Sequence, residues 1–450
     1  MEKPEYQQSS RRTESAFLNV GPSHPSMHGV IRIITELEGE RVVGAELEIG
    51  YLHRCFEKDC ENVGWGQAFP YTDRLNYVSP LINNVGWAMA VEKLFGVTVP
   101  ERSQYIRVIV SEISRIVDHL TCIGAAAMEV GAMTVFLYFM KAREFLYDLI
   151  EMLTGARITV SYVRIGGVKA DFPQGFEEKL RRALKEIEKV VIEVDKLLTR
   201  NRIFIDRMKG IGVLDRQRTI AYGITGPLLR ATGVPYDVRK DMPYLVYDRF
   251  DFEIPVAEGC DSYSRYMVRM EEMRQSAKII EQALGSIPAG AISVDLSGRE
   301  MTGAEMVETA KRGRVKDYVG ARAKVDLTLE GSDSQGASNV RLASQREMSL
   351  PSREECYGNI EGLMANFMLV MDNWGIRPPK GEAYHAVEGA NGELGFYVVS
   401  DGTGKPMRAR CRGPCFFPMA SLHEMLTGYM IADIVPAFGS INMIAGELDR

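Results

Sequence analysis

Cysteine is scarce and badly spaced in this chain of 450 residues. Seven are scattered at positions 55, 60, 122, 260, 356, 411 and 415. An odd, dispersed set argues for reduced thiols and against a disulfide framework. No two form the Cys-x-x-Cys knuckle of a structural metal site; Cys55 with Cys60 and Cys411 with Cys415 are spaced too loosely. Basic charge is short as well. The balance of 54 Lys and Arg against 60 Asp and Glu leaves a net charge of −6, which excludes the basic face of a nucleic-acid binder. No apolar run follows Arg11-Arg12, so the pair is no twin-arginine export signal. Residues 1–15 read as a disordered tail and the protein as cytoplasmic. Internal repeats are missing too, which excludes a repeat array. Residues 123–140 are apolar for about the length of a short membrane span. They carry Glu129 and many small residues, and are flanked by His119, Lys141, Arg143 and Glu144. A helix apolar all round is buried in protein or in lipid, and the hydrophilic remainder assigns this one to a protein core.

Histidine is also rare, six in all, yet two fall in GPSHPSMHG (21–29), at His24 and His28. Proline and glycine forbid a regular helix there, so both rings hang from a fixed turn ahead of an alternating strand pattern. A ring that titrates near neutral pH on a stiff loop suits proton transfer to a bound substrate. The plainer reading is two surface histidines. A second cluster, PYTDRLNY (70–77), sets an acid, a base and two phenols before a long helical region. A phenol there donates a hydrogen bond to a carbonyl oxygen, or sits at the core edge with its hydroxyl satisfied. Glu129 stands alone in its apolar stretch. Ionised burial is costly, so it is protonated or paired. A structural partner to His119 or an arginine is one reading, and a proton relay is the sharper one.

Residues 31–37 and 42–49 alternate about a Glu38-Gly39-Glu40 turn, which predicts a β-hairpin. The pattern is helical from 85 to about 153, broken at Gly96 and Pro100. Asp171-Phe-Pro opens a further helix, in which Leu180, Leu184, Ile187, Val191, Val194 and Leu198 form the seam of a bundle helix. Residues 266–284 and 364–374 are helical, and 382–412 read as short strands turning at 390–392 and 401–404. A last helix is expected over 421–432. Residues 312–345 are charged and weakly periodic, a surface insertion. The expectation is one α+β domain over 16–450, mainly α-helical, with small N-terminal and C-terminal β-structure.

GPSHPSMHG, GYLHR (50–54), EK (57–58), DRLNY (73–77), SEISR (111–115), DHL (118–120), GAR (155–157), YVRIGGV (162–168), TGPLLRATGV (225–234), YDVRK (236–240) and GELDR (446–450) together resemble the 49 kDa (D) subunit family of respiratory complex I. They run in order from about residue 17 to 450 and leave out only the tail and the insertion. The resemblance implies the fold of the large subunit of nickel–iron hydrogenases. A nickel–iron site needs four thiolates from two Cys-x-x-Cys pairs, since soft ligands hold that metal. The matching positions here carry Asn76, Ser79, Ile444 and Glu447. Hydrogenase activity is therefore excluded, and no metal is expected on this chain. The vacated pocket is, by resemblance, where a quinone headgroup docks.

The implied role is the quinone-site subunit of a proton-translocating NADH–quinone oxidoreductase. It takes electrons from a 4Fe–4S cluster in the adjacent iron–sulfur (B) subunit. The C subunit and the membrane-embedded H subunit are the other implied partners, and through them the chain sits at the cytoplasmic face of the cell membrane. By resemblance His28, Tyr77 and Glu129 are catalytic. Imidazole and phenol grip the two quinone carbonyls, stabilise developing charge and deliver two protons. His24, Arg74, Ile444, Glu447 and Arg450 line the pocket, and Arg54 stands with Arg74 near the partner's cluster. Glu129 replaces a usual aspartate, Thr159 a usual histidine and Asn442 a usual acid. Without that histidine the cluster potential is expected to depend less on pH and to be lower, which suits menaquinone. Asn442 is expected to weaken the pocket's polarity. The same fold also serves complexes fed by ferredoxin or coenzyme F420 that reduce quinone or phenazine. A coupling scaffold without substrate is the non-catalytic alternative.

Overall fold

The computed structural model describes residues 15–24, 30–294 and 376–450, with 300–301, 357–358, 360 and 363–364. Residues 1–14 of the expected tail, the 312–345 insertion, nearly all of the 364–374 helix and His28 lie outside the described residues.

The N-terminal sheet has three antiparallel strands, β1 (Ala16–Val20), β2 (Arg32–Glu38) and β3 (Arg41–Glu48), in that order. The hairpin β2–β3 forms where alternation predicts it, with Ile33, Thr35, Leu37 and Val42 turned inward. Strand β1 is not anticipated by the pattern. Four of its five residues are exposed, so it has no buried face to read. Backbone pairing places it, from Ala16 opposite Leu37 to Val20 opposite Ile33, with Asn19 Oδ1 accepting from Arg32 and Val20 packed on the core below.

Two short helices, α1 (Phe56–Asn62) and α2 (Phe69–Asp73), lead into α3 (Pro80–Phe95), α4 (Glu101–Glu129) and α5 (Met133–Thr154). The seam helix is α6 (Phe176–Val194), and a π turn over Asp195–Thr199 carries Leu198 onto the same buried stripe. Four short helices follow: α7 (Arg202–Met208), α8 (Arg216–Ala221), α9 (Pro227–Arg230) and α10 (Val238–Asp241). Helix α11 (Ser262–Ser286) starts at an Asp261 cap that accepts the Ser264 N–H. A minor ladder joins β4 (Val163–Arg164), β5 (Gly167–Val168), β6 (Ser293–Val294) and β7 (Glu300–Met301). The C-terminal sheet is β8 (Gly381–Gly389), β9 (Gly392–Ser400) and β10 (Arg408–Arg412), ordered β10-β9-β8. It lies on α3, where a Cβ at Gly86 would come within 2.9 Å of the Phe396 ring. The chain closes with α12 (Phe416–Leu426), α13 (Ile434–Gly439) and α14 (Ala445–Asp449). The helix expected over 421–432 thus begins earlier and stops earlier, ahead of a left-handed turn at Gly428 (φ +90°).

The apolar stretch 123–140 is not one helix. Helix α4 ends at Glu129, and Gly131 turns the backbone left-handed (φ +97°) before α5 begins. Nor is it buried all round: Met128, Met133 and Leu137 are 38%, 51% and 54% exposed. Among the described residues no helix is long and apolar enough to cross a membrane.

The larger core lies among α3–α6, α11 and the C-terminal sheet, and a second core joins the hairpin to α12–α14. Inside the larger core, charges from five places meet, all at most 1% exposed: Glu112, Arg115 and His119 of α4, Arg230 of α9, Asp237 and Arg239 at α10, Glu272 of α11 and Glu388 of β8. Arg239 bonds Asp237 at 2.7 Å and Glu112 at 3.2 Å, and Arg230 bonds Glu388 at 2.9 Å. The motifs SEISR, DHL, TGPLLRATGV and YDVRK converge here and tie the helices together. His119 belongs to this network, with Nε2 2.7 Å from Glu272.

Candidate functional site

Helix α14 is tucked under the loops that carry GYLHR and DRLNY. The Asp449 carboxylate accepts the N–H of Gly50 (3.0 Å) and Leu52 (2.7 Å), and its carbonyl meets His53 Nδ1 at 2.6 Å. Gly446 has no room for a side chain, since a Cβ would strike the carbonyls of Arg74 and Leu75. Arg54 Nη2 donates to the Arg74 carbonyl at 2.6 Å. Arg450 Nη1 donates to the Cys411 carbonyl at 2.6 Å, and its guanidinium lies 4.8 Å over the Phe416 ring.

The DRLNY turn is held from beneath. Buried Asp73 accepts from Asn84 Nδ2 (2.7 Å) and from the Ser161 N–H (2.9 Å). Asn83 Nδ2 donates to the carbonyls of Thr72 and Asn76, both at 3.0 Å. At the centre is Asp118. Its Oδ2 accepts from Asn76 Nδ2 (2.8 Å) and Ser79 Oγ (2.9 Å), and its Oδ1 from Asn442 Nδ2 (2.6 Å). Asn442 Nδ2 also lies 2.5 Å from Asn391 Oδ1, and Asn391 Nδ2 donates to Cys415 Sγ at 3.4 Å. The Cys415 N–H donates to Glu447 Oε1 at 2.8 Å. Asp118, Asn76, Ser79, Asn391, Cys415 and Glu447 are all at most 3% exposed. Three of the four positions expected to carry thiolates in a hydrogenase thus meet in a filled, hydrogen-bonded cluster. Among the described residues no three His, Cys, Asp or Glu side chains are arranged to hold a metal ion.

Tyr77 is half-buried at the rim of this cluster, against the second core. Burial pushes its pKa up; the neighbouring Cys415 and Asp118 add to that, and Arg54 opposes it. The phenol therefore stays protonated at neutral pH. Among the described residues its hydroxyl makes no hydrogen bond, which leaves it available to a ligand. Burial likewise pushes the Glu447 carboxyl up to about 7, helped by Asp118, against hydrogen bonds from Cys415 and Asn76 that favour the anion.

The structure gathers Tyr77, Arg54, Arg74 and Glu447 around the C-terminal segment, with Ile444 buried at the start of α14. Arg54 and Arg74 are exposed beside one another. Glu129 reaches the group indirectly. Its carboxylate lies on α13, where a Cβ at Gly439 would fall 2.5 Å from Oε2, so the longer acid is accommodated by a missing side chain. Arg269 and Arg265 grip the next turn through the carbonyls of Ser440 and Ile441 and the Ser440 hydroxyl. That turn ends at Asn442. His24 stands on the exposed loop after β1, and His28 lies outside the described residues. Thr159 adopts a left-handed backbone (φ +56°) and turns its hydroxyl onto the Ile158 carbonyl at 2.6 Å.

Asn442 does not simply dilute the pocket's polarity. It too is left-handed (φ +61°), a conformation asparagine tolerates. An acid there would face the Asp118 carboxylate; the amide turns that repulsion into a hydrogen bond. Sequence reasoning missed Asp118, Asn391 and Cys415. The donors to Asp118 come from 42 residues before it and 324 after it, beyond any local pattern. The signal available was the DHL motif itself, an acid and an imidazole adjacent in a long helical pattern.

A family model described as "Respiratory-chain NADH dehydrogenase, 49 Kd subunit" matches residues 129–450. The chain belongs to that 49 kDa subunit family. Its similarity to individual members extends over nearly the whole chain. It is 49% identical over 433 residues to the D subunit, numbered 2, of the NADH-quinone oxidoreductase of Anaeromyxobacter sp. (strain K), covering 96% of this chain and 89% of that protein. It is 47% identical over 439 residues to the corresponding D subunit of Myxococcus xanthus (strain DK1622), covering 98% and 94%. It is 44% identical over 433 residues to a C/D subunit of the NADH-quinone oxidoreductase of Bdellovibrio bacteriovorus, covering 96% of this chain and 68% of that protein. The 49 kDa family thus accounts for the order of the motifs.

Proposed function

We propose that this 49 kDa subunit forms the quinone-reducing site of a proton-translocating NADH–quinone oxidoreductase, with a partner subunit's 4Fe–4S cluster as the immediate electron source. The observation that carries this reading is Tyr77. It is a protonated phenol with no protein acceptor among the described residues, at the rim of a sulfur-poor cluster, beside two exposed guanidiniums. Reduction of a quinone by two electrons requires two protons. The Tyr77 hydroxyl donates to one carbonyl oxygen and His28 serves the other; Glu129 resupplies protons. Arg54 and Arg74 present positive charge toward the neighbouring cluster, which favours its reduced state. His24, Ile444, Glu447 and Arg450 complete the pocket wall. The headgroup meets Tyr77 at the rim, since Asn76, Ser79 and Glu447 fill the interior.

The iron–sulfur (B) subunit supplies the cluster, and the H subunit provides the membrane anchorage. The C subunit makes a lateral contact, for which the C/D name of the Bdellovibrio relative is support. The chain lies at the cytoplasmic face of the membrane, held through these neighbours. Menaquinone fits the replacement of histidine by Thr159.

A photoreactive quinone analogue tests the assignment in the assembled enzyme. Label is expected on peptides containing residues 70–80 or 21–29, and excess quinone should displace it. Label confined to the other polypeptides of the complex overturns the reading.

A further inference from the structure

One buried carboxylate has no part in the proton chemistry above, yet it touches both halves of the site. We propose that Asp118 is the positioning residue for Tyr77: by holding Asn76, Ser79 and Asn442 it sets where the phenol points and the field that the phenol feels. This rests on the reading of Tyr77 as proton donor to quinone.

The geometry carries it in two ways. Asn76 and Ser79 flank Tyr77 in sequence, and both dock on the same oxygen of Asp118, at 2.8 and 2.9 Å. The turn that presents the phenol is therefore pinned from α4. On the other oxygen Asn442, at 2.6 Å, ties in the C-terminal segment that carries Ile444 and Glu447. Secondly, these three hydrogen bonds all come from neutral donors. The other fully buried acids of α4, α10 and α11 are neutralised differently: Glu112, Asp237 and Glu272 each face an arginine within 3.2 Å. An acid kept only for packing is served well by such a guanidinium. Among the described residues Asp118 instead makes no ion pair, and its carboxylate acts on Tyr77 and Glu447 from a buried position, where electrostatic effects reach further than at the surface. Tyr77 is faced by that charge from α4, by Cys415 at the start of α12 and by Arg54 from the GYLHR loop. The same field falls on Glu447, Cys415, Cys122, His119 and Tyr147.

The test uses the assembled enzyme in membranes, with NADH and decylubiquinone. Asp118→Asn sets an amide N–H against one of three donors and removes the charge. Turnover is expected to fall about tenfold or more, with KM changed less than about threefold, the scale of a misplaced reacting group. The alkaline limb of the pH–rate profile should move to lower pH, since Tyr77 loses a negative neighbour. The double exchange Asp118→Asn with Asn442→Asp restores the 118–442 hydrogen bond with donor and acceptor reversed and returns a carboxylate to the cluster, the Asn391 amide turning so that its N–H faces position 442 and its oxygen accepts from the Cys415 thiol. It should recover turnover to within about threefold and move the alkaline limb back. NADH–ferricyanide activity reports assembly in every variant. If the single variant does not assemble but the exchange assembles and turns over, the positioning role stands. It is overturned if Asp118→Asn matches wild type in rate and alkaline limb, or if the exchange is no better than the single change. Tyr77→Phe separates the two levels: normal turnover there removes the quinone reading and this inference with it. A slow Tyr77→Phe beside a normal Asp118→Asn removes this inference alone.

Discussion

Replacing Tyr77 with phenylalanine should slow quinone-dependent NADH oxidation about a hundredfold, the lower range for loss of a general acid, which corresponds to about 2.7 kcal/mol of transition-state stabilisation. Reduction of ferricyanide by NADH, which draws electrons upstream of the quinone, should be unchanged. The substitution removes one oxygen and nothing else. That oxygen is hydrogen-bonded to no described residue, and the ring keeps its apolar contacts with the second core. The fold should therefore tolerate it within about 0.5 kcal/mol. The phenol is held protonated by burial, with Cys415 and Asp118 acting in the same direction. Its function is thus exerted as the acid, and phenylalanine abolishes it at every pH. Quinone turnover within about threefold of wild type would show that the phenol is packing only.

Arg230→Met should have the largest effect on stability, about 3–5 kcal/mol, the cost of leaving buried charges without their partner. Arg230 is fully buried and serves Glu272 (2.8 Å), Glu388 (2.9 Å) and the carbonyl of Tyr236 (3.0 Å). The network balances four carboxyls, Glu112, Asp237, Glu272 and Glu388, against three guanidiniums, Arg115, Arg230 and Arg239. One carboxyl is in excess, and burial with the neighbouring Asp237 pushes Glu388 up to about 7. Removing Arg230 raises the excess from one carboxyl to two. The subunit is expected to disappear from the assembled complex, as read by immunoblot of membranes, with ferricyanide activity lost alongside quinone activity. That joint loss distinguishes it from Tyr77→Phe. Acid should weaken the same network. Burial pushes Glu112 up, but Arg115 and Arg239 outweigh burial and hold it at about 2. Its contribution is complete above the ordinary carboxylate range and is lost as pH falls toward 2. Normal accumulation and melting of Arg230→Met would contradict the network's structural role.

Local periodicity made the hairpin β2–β3, the seam of α6 and helix α11 readable, because each buries residues at a regular spacing, and the Ala390-Asn391-Gly392 signal made the β8–β9 turn readable. Strand β1 was not, since four of its five residues are exposed and backbone pairing supplies most of its hold. Composition misled at residues 123–140: the apolar run continues through Gly131, but glycine in a left-handed turn splits it. The half-exposed Met133 and Leu137 looked like core. At the site, family motifs identified Tyr77, Arg54, Arg74, Glu447 and the C-terminal tail, which the structure brings together. The motifs did not reveal what binds them. Asp118 joins segments far apart in sequence, and His119 pairs with Glu272 across 153 residues. Such partnerships arise only from tertiary packing. The Asn442 departure became intelligible once its amide was seen to face a carboxylate.

Locating a bound quinone in a structure of the assembled complex bears most directly on the proposed site. A headgroup oxygen is expected within hydrogen-bonding distance of the Tyr77 hydroxyl, with the other oxygen facing His28. A quinone bound elsewhere, with Tyr77 and His28 opening into separate compartments, would refute the shared-pocket reading.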